Sequence, residues 1–245
     1  MEVYLNFFYA KQPVYLIIKG TFAPNIANVI YHKNKELELV PTSQLKKIHL
    51  ASVILANGMT DNYVQLTSIP DYLCEGPYPI YDDPSGPQCT ALRSKVPTCQ
   101  RLIKACRTFP SKLTCIPATL YCYQQLYGPI QRIHLVFAIF PGYITDKLFF
   151  LESGLNQYDA RRPCDPEKNG QLCYKQIGWI DTWLNDPKNK AELGANPGLK
   201  FESCNMAINQ AFMMEGDAMH NTPLLLPDLI NDGIRLLVYA GNAGT

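Results

Sequence analysis

Six of the nine cysteines fall between Cys74 and Cys122, at separations of 7 to 15 residues, and nothing else in the chain constrains the fold as tightly. None of these separations makes the short Cys-x-x-Cys type of knuckle that gathers thiolates around a zinc ion. A disulfide framework fits better. Closing a loop of about 15 residues removes on the order of 3 kcal/mol of unfolded-chain entropy, which matters where a loop-rich segment can bury little core of its own. The plainer alternative is nine reduced thiols acting as small buried apolar groups.

The chain has 245 residues, 47% of them apolar, enough for one large domain or for a core carrying a substantial insertion. Lys and Arg number 22 against 21 Asp and Glu, a formal charge of +1, so no general attraction to phosphate backbones or anionic lipid follows. Nucleic acid is therefore not an expected partner. The longest apolar run, residues 133–151, is broken by Pro141, Gly142, Asp146 and Lys147, and a membrane span needs about 20 nearly uninterrupted apolar residues. The opening Met1-Glu2-Val3-Tyr4 has none of the marks of a secretory signal. Cysteine content implies an oxidising compartment all the same, and the simplest expectation is that residue 1 is not the start of the natural domain.

Residues 14–18, 50–56 and 236–240 are short runs rich in branched apolar side chains, the pattern of strands covered on both faces. Between the first two, residues 24–31 place Ile26, Ala27, Ile30 and Tyr31 on one stripe of a helix. Strand, helix, strand predicts a parallel α/β unit. From Asn62 to Pro223 the texture turns to Pro, Gly, Tyr and Cys, with short helices expected at 177–184 and 206–214. The expected organisation is a first part of an α/β core at 1–61, a disulfide-tied subdomain at 62–222, and a return to the core at 223–245.

Few side chains suggest chemistry on their own. His32, His49, His134 and His220 are the bases of suitable pKa class, and none adjoins a Gly-x-Ser-x-Gly turn. Asp82 and Asp83 read as solvated loop residues rather than a metal or acid/base pair. Met213, Met214 and Met219 read as core filler. A Cys204–His220 nucleophile pair is weaker than an unpaired structural cysteine. No metal or cofactor is expected.

Longer strings carry more. Asn57-Gly58-Met59-Thr60-Asp61 after an apolar strand, Cys115-Ile116-Pro117-Ala118-Thr119-Leu120-Tyr121-Cys122, Tyr158-Asp159 with Arg161 and Cys164, Leu172-Cys173-Tyr174, Glu202-Ser203-Cys204-Asn205 and Val238-Tyr239-Ala240-Gly241 occur in that order. In this the chain resembles serine carboxypeptidases of the carboxypeptidase Y type, fungal in character. The resemblance implies a partial α/β-hydrolase fold, with a mixed, mainly parallel sheet and a disulfide-rich, mainly helical cap subdomain. It implies hydrolysis of single residues from peptide or protein C-termini, at acid pH, in a vacuole or outside the cell. It also implies bridges Cys74–Cys89, Cys99–Cys122, Cys106–Cys115 and Cys164–Cys173, leaving Cys204 unpaired. Met59, Tyr158, Tyr174, Ser203 and Cys204 map onto the family's substrate pocket.

The same comparison implies that no catalytic residue is present. The family's nucleophile occupies a Gly-x-Ser-Tyr-(Ala/Gly)-Gly turn whose last Gly corresponds to Gly20, yet this chain reads Leu16-Ile17-Ile18-Lys19-Gly20. Ungapped counting puts Ile17 at the Ser position; a deletion of about ten residues between Pro13 and Gly20 fits better. Gly244 falls near the family's Asp, and the catalytic His and the oxyanion loop fall outside the sequence. Residues 133–153 form an apolar insert of about twenty residues against the family pattern. It reads either as a lid extension that binds a partner or membrane surface or, preferably, as translated intron sequence.

Overall fold

The computed structural model describes residues 14–17, 20–40, 45–128 and 154–244. The insert at 133–153 and His134 lie outside them. In chain order the elements begin with β1 (Val14–Ile17), α1 (Phe22–Leu39), β2 (Leu50–Ala56), α2 (Asn62–Gln65), α3 (Ile69–Glu75), α4 (Pro87–Thr108) and α5 (Lys112–Cys122). After a π-helical turn at Tyr123–Tyr127 come β3 (Leu155–Asn156), β4 (Asp159–Pro163), α6 (Pro166–Asn169), α7 (Lys175–Asn185), α8 (Pro187–Glu192), α9 (Met206–Glu215), α10 (Pro227–Asn231) and β5 (Arg235–Tyr239). They divide into two compact units. The first holds Met1–Asn62 and Asn221–Gly241, the second Tyr63–His220 and Asn242–Thr245.

In the first unit β1, β2 and β5 form a parallel sheet with β2 in the middle. Leu50, Val53 and Leu55 of β2 pack with Ala23, Ala27 and Ile30 of α1 and with Leu229 of α10 in one core. Burial of each large aliphatic side chain contributes about 1.5–3 kcal/mol. The buried face of α1 is Ala23, Pro24, Ala27 and Ile30, one position round from the stripe expected from sequence. Ile26 is 37% exposed, because the small Ala23 and Ala27, rather than the bulky Ile26, face the sheet. Asn34 joins helix to strand: its Nδ2 donates to the Ile48 carbonyl at 2.7 Å and its Oδ1 accepts from the Ile48 amide at 2.9 Å.

The second unit is organised by α4, a 22-residue helix that the sequence reading, with only short periodic stretches expected in this region, did not anticipate. Its buried positions are Cys89, Leu92, Cys99, Ile103 and Cys106, a single stripe at helical spacing in which cysteines take the place of aliphatics. Pro97 lies inside the helix, an interior position that costs about 3 kcal/mol. The Cys99–Cys122 bridge closes a loop large enough to offset a cost of that order. Cys106–Cys115 joins α4 to α5 nearer their turn, Cys74–Cys89 ties α3 to the first turn of α4, and Cys164–Cys173 ties the end of β4 to the segment before α7. Cys204 is free. Helix α5 starts on Ser111, whose hydroxyl oxygen accepts from the Thr114 amide, and buries Cys115, Ala118, Thr119 and Cys122.

The methionines do not all fill the core. Met219 is fully buried, but Met214 is 45% exposed on α9, a helix with no buried residue. Helices α7 and α9 extend one or two residues beyond the spans expected from their periodicity, where Asn205 caps α9 by accepting from the Ile208 amide at 3.1 Å.

Candidate functional site

Parallel strands end on one edge of their sheet, and in open α/β sheets ligands bind at that carboxyl edge. In the first unit three connections meet there. The turn after β2 begins at Asn57, left-handed at φ 47°, a conformation that Asn tolerates better than most residues. The Asn57 amide donates to the Tyr239 carbonyl at 3.0 Å, and its Oδ1 accepts from the Gly241 amide at 2.7 Å. The ends of β2 and β5 are thereby locked together. Gly58 then passes so close to the turn after β1 that a Cβ on it would stand 2.7 Å from the Gly20 nitrogen, and Gly20 itself is left-handed at φ 72°. Neither position admits a side chain without a backbone shift. Thr60 donates its hydroxyl to the Gly20 carbonyl at 3.2 Å, and Met59, half-buried, places its own carbonyl oxygen against Gly20.

Tyr158, Tyr174, Ser203 and Cys204 lie in the second unit. Tyr158 is at the tip of the β3–β4 hairpin, where the Asn156 Oδ1 accepts from its amide at 2.8 Å. Tyr174 follows Cys173, and the Cys164–Cys173 bridge holds the strand and this segment together. The two rings lie 6.1 Å apart, tilted by 50°, a favourable aromatic arrangement. Burial, then the Cys204 thiol and the Tyr174 phenol, hold the Tyr158 phenol above its usual range. Tyr127 belongs to the same neighbourhood: burial, reinforced by Tyr123 and Tyr158, pushes its phenol up to about 12. It also packs edge to face on Tyr123 at 6.1 Å. These rings offer an apolar, orienting surface.

Ser203 is held by Asp181. Both its hydroxyl and its amide donate to Asp181 Oδ1 of α7, so the carboxylate anchors the loop. Asn185 reinforces it, with Nδ2 donating to the Phe201 carbonyl at 2.8 Å and Oδ1 accepting from the Phe201 amide at 2.9 Å. Asp181 and Tyr127 escaped the sequence reading, although the Tyr123–Tyr127 spacing of four residues was visible there. His32, His49 and His220 are exposed. Asp83 Oδ1 accepts from the Ser85 amide at 2.9 Å, a local turn contact. Among the described residues no group of three or more His, Cys, Asp or Glu could hold a metal ion.

A profile of serine carboxypeptidases matches residues 10–245. The chain belongs to the serine carboxypeptidase family. Carboxypeptidase Y homolog A of Sclerotinia sclerotiorum is 33% identical over 236 residues, covering 96% of this chain and 37% of that protein. The homologue from Coccidioides posadasii is 34% identical over 226 residues, covering 91% and 35%. This chain thus spans a little over one third of the length of the relatives it matches. Its fold is also that of the family: a prohormone-processing carboxypeptidase from Saccharomyces cerevisiae superimposes with a TM-score of 0.64 at 16% identity, over 96% of this chain and 45% of that one. Among the described residues no helix is long and apolar enough to cross a membrane.

Proposed function

We propose that this chain is a serine carboxypeptidase-family polypeptide that engages peptide or protein C-termini without hydrolysing them. One observation carries the reading. Acyl transfer in an α/β-hydrolase needs a nucleophile on the sharp turn between a strand and the following helix. Here β1 ends at Ile17 and α1 begins at Phe22, and the connection reads Ile18-Lys19-Gly20-Thr21. It contains no serine or cysteine. Thr21 supplies the one hydroxyl, at the residue preceding α1, where its carbonyl accepts from Asn25.

The residues assigned to peptide contact are Tyr158, Tyr174, Ser203 and Cys204 in the second unit and, separately, Met59 on the sheet edge of the first. Aromatic and apolar walls of this kind orient a chain and exclude water, whereas lowering the barrier requires an activated nucleophile, its base and oxyanion donors. Four disulfides support residence in an oxidising compartment, a vacuole or the extracellular space.

The test is exposure of the purified chain to a fluorophosphonate probe beside a peptide-release assay. No labelled serine and no released amino acid are expected. Covalent labelling of a serine or of Thr21, or release of C-terminal residues, overturns the reading.

A further inference from the structure

Helix α4 carries five cations, Arg93, Lys95, Arg101, Lys104 and Arg107, and no acid, in a chain of formal charge +1. Arg93 donates to Glu75 and lies near Asp71. The Arg107 guanidinium sits over the Tyr63 ring, 5.5 Å from its centre. Arg101 and Lys104 are exposed and enter no ion pair among the described residues. They stand three residues apart, a spacing at which like charges on a helix repel, so an incoming anion relieves an unfavourable arrangement.

Pro97, Gln100, Arg101 and Lys104 fall on one face of the helix, and with Tyr63 they line an open groove of about 500 Å³. Arg101 is steadied by donating from Nη2 to the Thr98 hydroxyl oxygen at 3.1 Å. Lys95, two residues before Pro97, is on the opposite side of the helix.

We propose that this groove binds an acidic peptide segment bearing an aromatic side chain. Arg101 and Lys104 take its carboxylates, the Pro97 ring and the Tyr63 ring take the aromatic group, and the Gln100 amide is placed to bond its backbone. Two free cations beside an apolar floor suit a short peptide better than a nucleic-acid backbone, which is held by many phosphate contacts at once. The site uses none of the residues assigned above to the family pocket and stands or falls separately from that reading.

The test is fluorescence anisotropy on the full oxidised chain with a labelled pentapeptide, Glu-Glu-Phe-Glu-Glu, blocked at both ends so that capture of a free C-terminus contributes nothing. Saturable binding is expected. Loss of one charge-assisted hydrogen bond weakens an interaction by roughly tenfold or more, so Arg101→Ala and Lys104→Ala should each do so, and the double variant by about a hundredfold. Lys95→Ala, equal in charge change but on the other face, should leave affinity within about twofold, a small fraction of that tenfold step. Both lining cations are exposed, so circular dichroism should match the parent chain. Absence of binding, equal weakening by Lys95→Ala, equal affinity for a peptide with glycine in place of phenylalanine, or displacement by inorganic sulfate at matched ionic strength no worse than by unlabelled peptide would each overturn the proposal.

Discussion

The two units reach stability by different chemistry. All nine cysteines lie in the helical unit and none in the sheet unit. The sheet unit closes a compact core from two layers, with Val53 of β2 at 1% exposure and Ala23 and Ala27 of α1 at 0%. The central strand β2 has a hydrogen-bonded neighbour on each side and buries Leu50, Ser52, Val53 and Leu55, so its backbone groups are paired and side-chain burial suffices. In the helical unit Leu73, Leu92, Ile103 and Leu126 are buried, but the cysteines Cys74, Cys89, Cys99, Cys106, Cys115 and Cys122 are buried with them. There the cross-link is also the core. Cysteine is a small side chain, and a core made of it gains less from burial and more from restricting the unfolded chain.

Reduction is the strongest way to break this comparison. Each bridge contributes on the order of 3 kcal/mol, and opening all four should unfold the helical unit. Hydrogen exchange should then become fast in α4 and α5 while β2 keeps its protection. Equal acceleration in β2 would show that the two units do not differ in this way. A smaller effect comes from the sheet side. Leu229 is 1% exposed in the core of the first unit, and Leu229→Ala should cost about 3 kcal/mol in chemical denaturation. The same loss should appear with or without reductant.

The smallest effect sharpens the picture of the aromatic cluster. Burial pushes Tyr127 from its ordinary 10.0 up to about 12. A phenol whose pKa is raised on folding stabilises the fold fully below the unfolded value, and that contribution disappears as pH rises through the folded value. Stability should therefore fall between about pH 10 and pH 12 by about 2 kcal/mol, discounted for partial exposure. A spectrophotometric titration should show a late-ionising tyrosine that Tyr127→Phe removes. An unchanged titration in that variant would place the late phenol elsewhere.

Much of this was legible in the chain before folding. Branched apolar runs marked β2 and β5 as strands, but the expected cover on both faces fails for β5, which leaves Leu237, Val238 and Tyr239 more than half exposed; an apolar run specifies a strand without specifying what packs on it. The motif strings pointed to the family because sharp turns such as Asn57-Gly58 accept very few residue types. Other features were hidden for physical reasons. Helix α4 escaped because its buried stripe is written in cysteine and interrupted by Pro97, two residues that local propensity reads as breaks. Ile26 was placed on the wrong face because the helix packs through alanines, and only its distance from the sheet selects small side chains over large ones. The hydrogen bond from the Ser203 hydroxyl to Asp181, twenty-two residues away in the chain, was likewise hidden, because no local pattern pairs those two residues.

What the sequence determined by itself was chemistry that is local in the chain: strand composition, turn residues, the cysteine ladder and the absence of a serine between β1 and α1. What only the tertiary structure decided was which side chains meet. The lock between Asn57 and Gly241, the Tyr158–Tyr174 pair and the uncompensated Arg101 and Lys104 beside Tyr63 all depend on contacts formed by folding. Hydrogen bonds, ring packing and ion pairing act over a few ångströms, and a linear order of residues does not contain those distances.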